Sequence, residues 1–218
     1  TGGHAHSAGL ESAVRIGEVV DLDTLARFAA ARVATQGRID AEFAAAAARA
    51  WASATRPNDG PEGDRAQATA IDELVAEYDA RTLSPHLRAA SRTLGRHLLR
   101  VAGSMLADPS ELRARLRDAP RPIVAGAVAA DVGLSPSYAA VVECHHLLSA
   151  VCAGAVKLLG LDPLAVVEVQ TRLATDIDAI AASAAEPADV RDLAAATSMR
   201  AEVLAQWHAA DNARLFAT

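Results

Sequence analysis

The chain has 218 residues, 51% hydrophobic but only 3% aromatic, with 27 acidic against 21 basic residues and a net charge of -6. At this length folding buries about 70% of the unfolded chain's surface. With so few rings, the core must come from Ala, Leu and Val, which suits closely packed helices. The acidic balance argues against nucleic-acid binding, and Cys144 and Cys152 form no CxxC pair, which fits a reducing, cytoplasmic setting.

Taken in chain order, the opening Thr1-Gly-Gly-His4-Ala-His6-Ser7 has neither a methionine nor a secretory-type apolar stretch. The expectation there is an N-terminus trimmed from a longer one. A first helix is expected near 8–18. A second, near 23–36, carries the stripe Leu22, Leu25, Phe28 and Val33, and a third, near 40–54, keeps Phe43, Ala47 and Trp51 at helical spacing through the run Ala44 to Ala48. Two prolines and two glycines among polar residues mark 56–65 as a mobile loop. Ile71, Leu74, Val75 and Tyr78 then pattern a helix near 66–80.

Ser84-Pro85, Asp108-Pro109, Ser135-Pro136 and Asp162-Pro163 each place a capping oxygen before a proline. Proline at the first helical position loses no hydrogen bond, because that amide has no intrahelical partner. These starts predict helices near 85–106, 109–117, 136–159 and 163–184, with Asp108 and Glu111 spaced as a capping box. A last helix is expected over 187–213. No segment alternates like a strand and no fixed-period repeat appears. The whole reads as an all-α, single-domain bundle of about eight to ten helices over 1–218. Its most apolar stretch, Ser135 to Leu159, contains Glu143, His145, His146 and Lys157. Those residues are costly in lipid, so the stretch reads as a buried helix with no membrane role.

Chemistry is sparse. Neither GxxxxGK[ST], a GxGxxG after a strand, nor a GxSxG elbow is present, so no catalytic residue and no tightly bound cofactor are expected. Cys144, His145, His146 and Cys152 offer metal-ligating atoms. Helical neighbours, however, point about 100° apart and no i, i+4 ligand pair forms, which favours packing. His4 and His6 sit where both imidazoles can turn toward one ion, a transient contact, or hydrogen-bond to nearby backbone. The row Arg88, Arg92, Arg96 and Arg100 reads as a solvated face or as a docking strip for an acidic partner. Lys157 suits the C-terminal end of its helix or a partner contact. Two rival readings are an all-α enzyme or ligand-binding helical domain with an interior pocket near Glu143, His145 and His146, and the ligand-binding half of a transcription regulator.

Three segments carry a resemblance. Thr1-Gly-Gly-His4-Ala-His6-Ser7-Ala-Gly9-Leu10-Glu11 resembles the opening signature of the urease accessory protein UreF family, Arg88-Ala-Ala-Ser91-Arg92-Thr-Leu-Gly95-Arg96 its mid-chain helix, and Ala155-Val-Lys157-Leu-Leu its segment before a Pro-Leu-Gly turn. Here Gly160-Leu161-Asp162 replaces that turn. The resemblance implies a non-enzymatic homodimer that binds UreD (also called UreH) and the GTPase UreG and acts on apo-urease, with nickel as transferred cargo. It also implies that Glu11 and Lys157 meet the GTPase, and that Ser7, Gly9, Leu10, Ser91, Arg92 and Gly95 belong to family motifs. His4 and His6 fall in the signature as candidate nickel contacts. Gly95 within a helix costs about 1 kcal/mol against Ala, so a close helix approach is expected there.

Overall fold

The computed structural model describes residues 8–54, 60–195 and 203, and among these it is all α, with ten α-helices and no strand. They are α1 (Leu10–Arg15), α2 (Leu22–Arg32), α3 (Arg38–Ala54), α4 (Gly60–Arg81), α5 (Pro85–Met105), α6 (Ser110–Leu116), α7 (Arg121–Asp131), α8 (Pro136–Leu159), α9 (Pro163–Arg172) and α10 (Ala174–Ala185). This agrees with the expected bundle, and three of the four proline-marked starts cap as read. Ser84 accepts the Leu87 amide, Ser135 the Tyr138 amide and Asp162 the Leu164 amide. The fourth is shifted: Pro109 itself occupies the cap of α6, Asp108 accepts the Ser110 amide from outside the helix, and no capping box with Glu111 forms.

Helix α3 is the axis of the bundle, packed against α4, α7, α8 and α10. Its alanine run explains the position. At Gly126 of α7, a Cβ would collide with the Ala44 carbonyl and with Ala47, so the two helices touch backbone to backbone. Ala44, Ala48, Ala129 and Ala139 fill the narrow seam where α3, α7 and α8 meet. On either side lies a larger core. One gathers Leu10, Leu25, Val33, Leu148, Val151, Val166 and Ile177 around α8. The other gathers Phe43, Trp51, Tyr78, Leu99, Leu112 and Ile123 from α3 to α7.

Several expectations need correction. Residues 22–54 do not break between two helices: a π-helical turn, Val33–Gly37, joins α2 to α3, and its Gly37 carbonyl accepts the Cys144 thiol at 3.4 Å. Helix α4 begins at Gly60, inside the stretch read as a loop, while 55–59 lie outside the described residues. Helix α7 forms where the sequence carries no helix signal. Pro120 and Pro122 resemble a turn, and the helix is buried nearly all round, so it has no stripe to betray it. The segment 163–184 divides at Leu173 into α9 and α10.

The expected helix over 187–213 does not form over 187–195. Residues 186–195 run as an irregular strap with one 3-10 turn, Val190–Asp192. Arg81 donates to the carbonyls of Val190, Arg191 and Leu193, Glu42 accepts the Ala194 amide, and Arg49 grips the carbonyls of Ala184 and Ala185. These bonds satisfy backbone groups that a continuing helix would have satisfied internally. Of the rest of that segment only Val203 is described, and it is helical; the others lie outside the described residues.

Candidate functional site

The motif Ser91-Arg92-Gly95 forms the joint between α4, α5 and α7. A Cβ on Gly95 would lie 2.6 Å from the Ala119 carbonyl oxygen, so only glycine lets α5 ride this close to the turn entering α7. Ser91, one helical turn earlier on the same face, accepts the Arg121 amide at 3.1 Å. Pro120 stands at the cap of α7 and offers no side-chain acceptor. Ser91 therefore caps α7 from a neighbouring helix, pairing one of its orphan first-turn amides. Arg92 holds Asp79 of α4 through two bonds of 2.9 and 2.6 Å, and that bond and charge raise its pKa.

From Ser91 a polar chain runs inward. The Ser91 hydroxyl donates to the Tyr78 oxygen at 3.5 Å, Tyr78 donates to Asp40 at 2.9 Å, and the Gln36 amide donates to the same carboxylate at 2.8 Å. Close by, the Arg121 guanidinium pairs with Glu143 of α8, whose side chain is 2% exposed. Burial lifts Asp40 to about 7, helped by the Glu143 charge and opposed by bonds from Gln36 and Tyr78 and by the Arg121 charge. Burial also raises Glu143 against the pull of Arg121, and raises Tyr78 well above the phenol range. Bonds in such a chain polarise one another in a low-dielectric interior. Removing one member of the buried ion pair would cost about 3–5 kcal/mol, because the other charge would be stranded. The arrangement fixes the relative positions of five helices.

The remaining expected residues are distributed as follows. Gly9 caps α1 with a left-handed φ of +88°, next to Ala8 at +50°, so the chain turns sharply before Leu10 enters the core fully buried. Glu11 is 2% exposed and lies 3.6 Å from Arg15. Lys157 is exposed in the last turn of α8, the helix on which α1 packs. His4, His6 and Ser7 lie outside the described residues. The arginine row is neither wholly solvated nor wholly free. Arg88 donates to the carbonyls of Thr82 and Leu83 and Arg92 holds Asp79, whereas Arg96 and Arg100 face outward.

Glu143 and His145 are not brought to one place. Glu143 turns inward to Arg121, while His145 is exposed and meets Ser149 at 3.5 Å, as a 100° step per residue demands. Cys144 and Cys152 are buried free thiols, pushed up to about 12 and about 11 chiefly by burial, which suits apolar packing. Among the described residues no three or more His, Cys, Asp or Glu side chains gather to hold a metal. Helix α8 is long and apolar enough to cross a membrane, yet 61% of its most apolar window is buried inside the protein. It is a core helix, as its buried Glu143 requires.

Asp40, Gln36 and Arg121 were missed. Their only sequence signals were a tyrosine in a ring-poor chain, expected to pack as an apolar residue, and an arginine between two prolines. Comparison with known proteins adds what geometry alone does not: a family model described as UreF matches residues 19–174. The chain belongs to the UreF family. It is 36% identical over 219 aligned positions to the urease accessory protein UreF of Mycobacterium sp. (strain JLS), covering 100% of this chain and 92% of that one. It is 37% identical to that of Mycolicibacterium vanbaalenii with the same coverage, and 36% identical to that of Mycobacterium tuberculosis (strain ATCC 25618 / H37Rv) over 88% of this chain and 83% of the other. The span matched by the UreF model runs from before α2 to past the end of α9 and contains the whole Ser91–Tyr78–Asp40 chain.

Proposed function

We propose that this UreF-family chain is a urease accessory factor, a helical scaffold in nickel-centre maturation that performs no chemistry of its own. The observation that carries the reading is similarity to urease accessory proteins named UreF along the full length of the chain. In this reading residues 1–218 work in the cytoplasm as one unit. They bring UreD and the GTPase UreG to apo-urease and influence when nickel, the cargo, is released. His4 and His6 are proposed as its passing contacts.

The geometry supports a protein that works through its exterior. Lys157 is offered to solvent and is the proposed direct contact for the GTPase. Glu11 is buried, so its proposed part is to hold α1 through Arg15 on the same side. Tyr138, 61% exposed, and Val142 lie one turn apart on α8, and Val132 and Leu134, exposed too, shortly precede that helix in the chain. Such a cluster of apolar side chains is what a homodimer interface would cover.

The test is co-purification of the full chain with UreD and UreG, scored for a three-protein complex and for urease activation. Lys157→Glu is expected to weaken UreG recruitment about tenfold or more, with unchanged helical circular dichroism. Unaltered recruitment would remove Lys157 from the interface, and failure to form any complex would remove the scaffold reading.

A further inference from the structure

Charge is unevenly spread along this chain. Residues 84–118 hold seven arginines against three acidic residues, a net charge of +4 within a chain of -6, which leaves -10 for the rest. The structure folds this segment into α5 and α6 and brings their arginines together. On α5, Arg96, Arg100 and Gly103 recur at four and three residues and share one face. Gly103 has no side chain, and Arg113 of α6 lies across it: its guanidinium donates to the Gly103 carbonyl at 3.2 Å and fills the place a Cβ would take. The row Arg96, Arg100 is thereby extended by Arg113; the segment then runs back along α5, since Asp118 meets Arg96, and Arg117, the C-cap of α6, precedes that aspartate. All four side chains are exposed.

The same row already shows what it binds. One turn before Arg96, Arg92 grips the carboxylate of Asp79, which projects from the neighbouring helix α4, with two hydrogen bonds. Beyond that point the chain supplies little opposing charge: Arg96 donates to the Thr93 hydroxyl at 2.9 Å and meets one carboxylate, the exposed Asp118, at 3.6 Å, and Arg100 and Arg117 form no ion pair among the described residues. We propose that the α5–α6 face formed by Arg96, Arg100, Arg113 and Arg117 docks an acidic helix of a partner protein, one that carries carboxylates a turn apart. The planar guanidinium fork suits a carboxylate through two parallel bonds. Asp108, Glu111 and Asp118 punctuate the strip, which suits discrete carboxylates and disfavours a continuous phosphate backbone. Lys157 is on α8 and is not one of these residues, and the proposal stands whether or not Lys157 meets the GTPase.

The test uses the full chain and a labelled synthetic helical peptide of about 20 residues, roughly 30 Å long, with glutamates at i, i+4 and i+7 on one face. A peptide of equal composition with its glutamates dispersed round the helix is the control, and single-stranded oligothymidylate is the phosphate probe. By fluorescence anisotropy at low salt, the one-faced peptide is expected to bind more tightly than either comparator. The double variant Arg100→Glu, Arg117→Glu should bind it about tenfold or more weakly. Gly103→Ala keeps every charge but displaces Arg113, and is expected to weaken binding several-fold. Circular dichroism of each variant confirms that the exposed substitutions leave the fold in place, and Arg100→Gln, Arg117→Gln serves if the reversal does not. Equal binding by wild type and double variant, equal binding of the two peptides, or tighter binding of oligothymidylate would each overturn the proposal.

Discussion

The two cores on either side of α3 are built on different principles. The core around α8 is aliphatic and, among the described residues, contains no fully buried ring, and its thiols remain neutral at physiological pH because burial lifts both above their usual range. The core from α3 to α7 contains Phe43, Trp51 and Tyr78, with Phe43 and Tyr78 edge to face at 5.3 Å and the Arg81 guanidinium 5.5 Å from the Phe43 ring centre. It also contains the polar chain that ends at Asp40. Apolar burial is non-directional and holds the first core together by volume. Hydrogen bonds and ring edges have direction, so the second core also sets the angles at which α4, α5, α7 and α8 meet. That is the rigidity a scaffold needs behind its docking faces.

This contrast can be broken at the seam shared by both cores. Gly126→Ala is expected to cost about 3 kcal/mol, at the upper end for overpacking, because the added carbon meets the α3 backbone rather than a movable side chain. A chemical-denaturation midpoint would measure it, and a loss below 1 kcal/mol would mean that α3 and α7 can slide apart. Tyr78→Phe keeps the ring contact and removes one hydroxyl. It is expected to cost about 2 kcal/mol, since Asp40 and Ser91 each lose a buried partner. A near-neutral result would show that shape, as in the α8 core, suffices here too.

The smallest effect at neutral pH, and the most specific, concerns Asp40. Its folded pKa of about 7 stands above the ordinary 3.8, so the folded state holds its proton more tightly than the unfolded chain does. That contribution to stability is fully present below about pH 4 and is lost as pH rises through about 7. Glu143, shifted in the same direction, adds to the trend. Wild-type stability should therefore fall between pH 5 and pH 8 more steeply than that of Asp40→Asn. Parallel pH profiles for the two proteins would show that Asp40 does not titrate in this range.

The sequence by itself determined the helices that announce themselves. A Ser or Asp before proline is a local signal, and an apolar stripe at helical period is a property of one segment, so α5, α8 and the start of α9 could be read residue by residue. The family motifs were equally legible, because Ser91, Arg92 and Gly95 lie within one turn or so of each other. What only the tertiary structure decided is the set of features that need two distant segments. Helix α7 has no stripe because partners surround it, and the strap at 186–195 leaves the helical path because Arg49, Arg81 and Glu42 receive its backbone. Asp40 becomes a near-neutral acid only where packing buries it beside Glu143, against the opposing bonds from Gln36 and Tyr78. Local spacing encodes backbone hydrogen bonding, whereas burial and charge coupling arise only after residues far apart in the chain have been packed together.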